Sequence, residues 1–66
     1  MTVIVNGQQH ELADGAKLTD VVARLTESVR GVAVALNGIV VPRGEWATTT
    51  LADTDQIEVL TAVQGG

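Results

Sequence analysis

Residues 1–25, MTVIVNGQQHELADGAKLTDVVARL, change their hydrophobic period once, and that change decides the fold. Met1, Val3 and Val5 alternate with Thr2, Ile4 and Asn6, the period of two that belongs to a strand. Asn6-Gly7 follows at once. Both residue types tolerate the positive φ of a tight two-residue turn, so the pair predicts a hairpin. Its second strand runs over residues 8–12, polar for most of its length, and ends at the turn signal Asp14-Gly15. Beyond that turn, Leu18, Val21, Val22 and Leu25 fall at i, i+3, i+4 and i+7, one apolar stripe on a helix of period 3.6. Lys17 is a poor cap for this helix and Thr19 lies close to its first apolar position, while Asp20 suits the positive end of the dipole. Gly31 supplies a stop or a turn after it.

Working outward, residues 32–41 are almost wholly apolar apart from Asn37-Gly38, which predicts a second hairpin. Pro42 has no N–H for a ladder and ends that hairpin. Residues 43–55 read as a connector with short turns, and Thr48-Thr49-Thr50 within it as a solvated stretch. The last strand spans residues 56–60, with Ile57 and Val59 on one face and Glu58 and Leu60 on the other. Residues 61–66 form a flexible tail. The order ββαβ(β)β leaves one main helix to cover one face of a mixed sheet. That is an α+β chain of ubiquitin-like β-grasp order, a single domain over residues 1–66.

A chain of 66 residues buries about 60% of the surface its unfolded form exposes, so stability rests on packing. There is no cysteine, and His10 stands alone, which excludes a disulfide framework and a thiolate zinc site. Aliphatic residues fill the interior, since Trp46 is the one aromatic side chain. The formal charge of −4, from eight acidic and four basic residues, argues against nucleic acid and acidic membrane surfaces and favours a basic groove on a protein partner. The opening apolar run lacks a positive flank and breaks at Asn6-Gly7, and no run approaches the ~20 residues that span a bilayer. A soluble, cytoplasmic protein is expected.

The candidate working part is Gly65-Gly66. With Gly at about 7% of average usage, two at a defined pair of positions occur by chance in roughly 0.5% of chains. A backbone without Cβ can be threaded into a channel too narrow for side chains, and the Gly66 carboxylate then reaches chemistry done elsewhere. The competing reading is a frayed end or a linker scar.

Other residues carry weaker signals. The apolar runs exceed what a one-sided sheet needs, so some of their side chains face away from the helix; with Ile4 and Leu60, which share that parity, they suggest a docking patch. The other reading is a register error that puts core residues outside. Trp46 fits either a partner anchor or, more commonly for a lone Trp, the edge of the core. Arg43 can pair with Glu45. Asp53 and Asp55 lack the six to eight oxygens of a calcium site and read as turn formers, and no metal is expected. Ser28, His10 and the aspartates form no nucleophile, base and orienter set, so no catalytic residue is expected.

The segment Ile39-Val40-Val41-Pro42-Arg43-Gly44-Glu45-Trp46, with the tail Ala62-Val63-Gln64-Gly65-Gly66 and the β-grasp order, resembles the ThiS family, the sulfur carriers of thiamine biosynthesis, over the whole chain. The first segment looks like the family's V-P-R-x-x-W pattern. The resemblance implies that the Gly66 carboxylate attacks ATP on a ThiF-like adenylyltransferase and that sulfur then displaces AMP. The resulting thiocarboxylate serves a ThiG-like thiazole synthase. It also implies that Gly65, Gln64 and Val63 thread into the partner, that the carrier itself binds no cofactor, and that it is a cosubstrate and not an enzyme. Two departures concern turn and cap geometry: Asp53-Thr54-Asp55 stands where the family often has Asp-Gly-Asp, and Lys17 where it often has Thr. Three alternatives stay open: a ubiquitin-like modifier joined to lysines, the small subunit of molybdopterin synthase, and an assembly subunit with an idle tail.

Overall fold

The computed structural model describes residues 1–25 and 31–61. The first hairpin is β1 (Thr2–Val5) with β2 (Gln8–Glu11), and the second is β3 (Val32–Leu36) with β4 (Ile39–Val41). Between them lies α1 (Leu18–Leu25). After β4 come a 3-10 helix (Arg43–Thr48) and the last strand, β5 (Gln56–Thr61). Both hairpin turns use the predicted pairs with both residues at positive φ, Asn6 at 50° and Gly7 at 82°, Asn37 at 50° and Gly38 at 85°. That is the type I′ geometry whose twist matches the flanking strands.

The strands form one mixed sheet in the order β2-β1-β5-β3-β4. β5 runs antiparallel to β3 from Leu36↔Ile57 to Val32↔Thr61, and parallel to β1 at Ile4↔Gln56 and Val5↔Ile57. The register turns Val3, Val5, Val34, Ile57 and Val59 to one face, where Leu18, Val21 and Val22 of α1 cover them; Leu12, Trp46 and Leu51 complete the buried core. Leu25, the fourth member of the helical stripe, is 42% exposed. β5 includes Thr61, which the sequence had placed in the tail, because Thr61 still pairs with Val32. β2 stops at Glu11, one residue short of its expected end, although the Leu12 N–H continues the ladder onto the Met1 carbonyl at 2.8 Å.

The start of α1 shows how a chain with Lys17 at the cap position manages its orphan donors. Asp20 accepts the Lys17 N–H at 2.8 Å, the reach-back half of a capping box. The Leu18 N–H bonds the Thr49 carbonyl at 3.1 Å, so the connector supplies what a capping side chain does not. Gly31 has a φ of 69°, in keeping with its reading as a turn after the helix, although residues 26–30 between it and Leu25 lie outside the described residues.

The connector holds more structure than its composition announces. Pro42, at φ −59°, leads into the 3-10 helix, and one turn on, Trp46 folds back under it with its indole N–H on the Val41 carbonyl at 2.8 Å. At 2% exposure Trp46 belongs to the core and not to a partner. Arg43 and Glu45 form no ion pair, and among the described residues the pair within salt-bridge distance is the Met1 ammonium with Asp14, at 3.7 Å. Asp53 and Asp55 do form the turn before β5: Asp53 accepts the Thr2 N–H at 2.8 Å, and Asp55 accepts the Ala52 N–H at 2.7 Å. Thr54 between them sits at φ 68°, with its N–H on the Thr2 carbonyl at 2.7 Å.

A β-branched residue at that φ is strained, by about 1–2 kcal/mol in the left-handed region. Glycine removes the strain and loses part of the gain to unfolded-state entropy. Thr54→Gly should therefore stabilise the fold by ~0.5–1 kcal/mol, seen as a higher urea midpoint with an unchanged slope.

Candidate functional site

Gly66, Gly65, Gln64 and Val63, the expected tail site, lie outside the described residues. What the structure does define is their platform. Thr61, the last described residue, ends the central strand, with β1 on one side of that strand and β3 on the other.

β5 is held in place by two side-chain amides at the hairpin turns. Asn6 works as a detached piece of backbone: its Nδ2 donates to the Val59 carbonyl at 3.1 Å and its Oδ1 accepts the Val59 N–H at 2.9 Å. This extends the short parallel ladder of β1 by one more rung. Asn37 acts at the start of the strand, with Oδ1 accepting the Gln56 N–H at 2.9 Å and Nδ2 donating to the Asp55 carboxylate Oδ1 at 3.0 Å. Both amides are placed by the positive φ of the turns that carry them. The sequence indicates only turn geometry for Asn6 and Asn37, because nothing local specifies which strand their side chains meet.

The face of the sheet away from α1 carries the other candidate. Ile4 is half-buried opposite Gln56, and Leu60 is 67% exposed opposite Ala33. Four residues along β5 separate their rungs, about 13 Å at strand spacing. The two therefore flank Glu58 instead of touching. Glu58 lies opposite Ala35, and Ala35 opposite Val40, which is 70% exposed. The outward parity of residues 32–41 thus belongs to Ala33, Ala35 and Val40, members of a run already too apolar for a one-sided sheet. Ile39, though 72% exposed, has the core-side parity of its partner Leu36 and lies on the open edge strand.

Charge is distributed unevenly between the two faces. The five strands contain no Lys or Arg; their carboxylates are Glu11 and Glu58, both of outward parity. The described basic residues are Lys17 at the helix start, Arg24 in α1 and Arg43 in the 3-10 helix. Between the two hairpin turns an open hollow of about 490 Å³ adjoins Glu58 and is lined also by Ile4, Asn6, Asn37 and Gln56. Among the described residues no cluster of His, Asp and Glu is arranged to hold a metal, and no helix is long and apolar enough to cross a membrane.

A mixed five-stranded sheet on one helix, with the last strand inserted at its centre, defines an α+β protein of the ubiquitin-like β-grasp class. Comparison with known proteins narrows that class. The model of the ThiS family matches residues 3–66, and the chain belongs to this family. It is 32% identical over 66 residues to the Sulfur carrier protein ThiS of Escherichia coli (strain K12), covering 100% of both chains. Among solved structures it is similar to the crystal structure of the thiamine biosynthesis protein (ThiS) from Geobacter metallireducens, with a TM-score of 0.82, 32% identity and full coverage of both chains. A solution structure of a thiamine biosynthesis protein from the same organism matches with a TM-score of 0.81 and 32% identity, covering 100% of this chain and 88% of the other.

The Asn6 amide can be tested apart from its backbone angle. Asn6→Gly keeps the positive φ but removes both hydrogen bonds to Val59, and should cost about 1–2 kcal/mol. Asn6→Ala adds the left-handed penalty, for a total of about 2–4 kcal/mol. Urea unfolding measures both, and faster exchange of the Val59 amide proton in either variant would place the loss at β5.

Proposed function

We propose that this protein is a sulfur carrier of thiamine biosynthesis whose sulfur travels on the Gly66 carboxylate. The observation that carries the reading is the end-to-end similarity to a protein named as a sulfur carrier, within a family match that runs through Gly65-Gly66.

The chemistry accounts for the residues. A carboxylate is a poor acyl donor. Attack of a Gly66 carboxylate oxygen on the α-phosphorus of ATP, with loss of pyrophosphate, converts it to an acyl adenylate with AMP as a good leaving group. Sulfur at the level of hydrosulfide then attacks the acyl carbon, the acyl–oxygen bond to AMP breaks, and the terminus becomes a thiocarboxylate, nucleophilic at neutral pH. ATP belongs to a ThiF-like adenylyltransferase, and the thiocarboxylate delivers its sulfur to a ThiG-like thiazole synthase. The carrier is a cosubstrate in both steps. It needs no cysteine, and the sequence has none, because the sulfur is held by a main-chain terminus.

Residues 62–66, once extended, reach at most about 17 Å from β5, which suits a recessed active site on the partner. Gly65, preceded by Val63 and Gln64, gives clearance where that channel is narrowest. The central position of β5 supports the same reading, since a strand clamped by neighbours on both sides gives the tail a fixed origin.

The test is the intact mass after incubation with the adenylyltransferase, ATP and a sulfur source, with fragmentation to place any change. Oxygen-to-sulfur exchange confined to Gly66 and dependent on ATP is expected; localisation separates it from sulfoxide formation at Met1, which has nearly the same nominal shift. A lysine-linked conjugate instead would make the protein a modifier. Gly65→Val should retain the fold and lose adenylation by roughly 100-fold or more, since a small misplacement of the reacting group has that effect.

A further inference from the structure

We propose that Glu58 selects the protein that docks on the outer face of the sheet, and that this protein presents an arginine or lysine side chain set in an apolar surface. The proposal rests on the carrier reading only for the identity of the probe that tests it.

The outer face is built as an apolar floor around one carboxylate. Val40, Ala35 and Glu58 form a row across three adjacent strands, spaced about 4.8 Å apart. Ala33 and Leu60 form the next such row along β3 and β5. The alanines keep the floor low, so the exposed Glu58 stands above it, and among the described residues no cation neutralises it. On its other side lies the hollow of about 490 Å³ between the two hairpin turns. The Asn6 and Asn37 amides on that wall are already committed to β5 and the Asp55 carboxylate, which leaves the Glu58 carboxylate and the Gln56 amide to receive a guest. A long, positively charged side chain fits that space and that charge.

Charge also decides between occupants. A second copy of this chain packed face to face would bring Glu58 near Glu58, with no strand-borne Lys or Arg on either copy to neutralise them. Nucleic acid and anionic lipid are repelled for the same reason. A protein surface that is apolar but for one cation gains both area and a pair. Docking removes water from Glu58, so a partner without the cation leaves a carboxylate buried and unpaired; that penalty discriminates against it.

The experiment is isothermal titration of the chain into the adenylyltransferase of the same organism without ATP, for wild type, Glu58→Gln, Glu58→Lys and Glu45→Lys. Glu45 is exposed on the 3-10 helix, which packs against α1 on the other side of the sheet, so its reversal controls for net charge. Expected are dissociation constants about tenfold higher for Glu58→Gln and about 100-fold or more higher for Glu58→Lys, with Glu45→Lys within about threefold of wild type and all four melting alike. Glu58→Lys binding within threefold of wild type, or an equal loss in Glu45→Lys, overturns the proposal, the latter by showing bulk charge steering. Pyrophosphate release on adding ATP is read in parallel. If the binding pattern holds but wild type is not adenylated, the carrier reading fails and the docking proposal stands. If wild type does not bind, both fail.

Discussion

The fold depends on the insertion of β5 between two hairpins that do not otherwise meet. In the order β2-β1-β5-β3-β4 the pairs β1–β2 and β3–β4 are local, each closed by an Asn-Gly turn, and the contact that unites them is made by the last strand. A two-stranded hairpin alone is marginal in water. The long-range parallel pairing of β1 with β5 at Ile4↔Gln56 and Val5↔Ile57 therefore turns two marginal pieces into a sheet, and α1 has a continuous surface to cover only once that has happened. The ladder there is short, which explains why the Asn6 side chain is recruited to lengthen it at Val59.

The core obtains its volume in an economical way. With one aromatic residue in the chain, nearly all the interior is Val, Leu and Ile, and Trp46 is its largest buried side chain. The 3-10 helix delivers the indole, and its N–H is satisfied at Val41 just before Pro42, so the large side chain is buried without a stranded donor. The same connector supplies the Thr49 carbonyl to the first turn of α1 and the buried Leu51 to the core. A segment that reads as irregular in sequence thus performs the work of a cap and contributes two side chains to the core.

The two faces of the sheet serve different ends. One is covered by α1 and buried; the other, among the described residues, has no covering element, carries exposed aliphatic side chains, and places its carboxylates without a Lys or Arg in any strand. On the carrier function proposed above, such a face serves to orient the partner while β5 fixes where the tail begins. The proposed docking and delivery are then mechanically joined, since Glu58, Leu60 and Thr61 lie on one strand.

The sequence by itself determined the element order, both turn types, the parity of β1 and β5 and the membership of Leu18, Val21 and Val22 in the core, because each is set by periods of two or 3.6 and by residues that tolerate positive φ. The family resemblance was likewise legible, in the segment from Ile39 to Trp46 and in the glycine pair. Only the tertiary structure decided that Trp46 is core, that residues 43–48 coil into a 3-10 helix, and that Asn6 and Asn37 grip β5. It also decided that Ile4 and Leu60 flank a carboxylate and do not touch each other. The reason is physical: local pattern specifies which face a side chain takes, but its neighbours across the sheet follow from strand order and register, set by pairings more than fifty residues apart such as Val5↔Ile57.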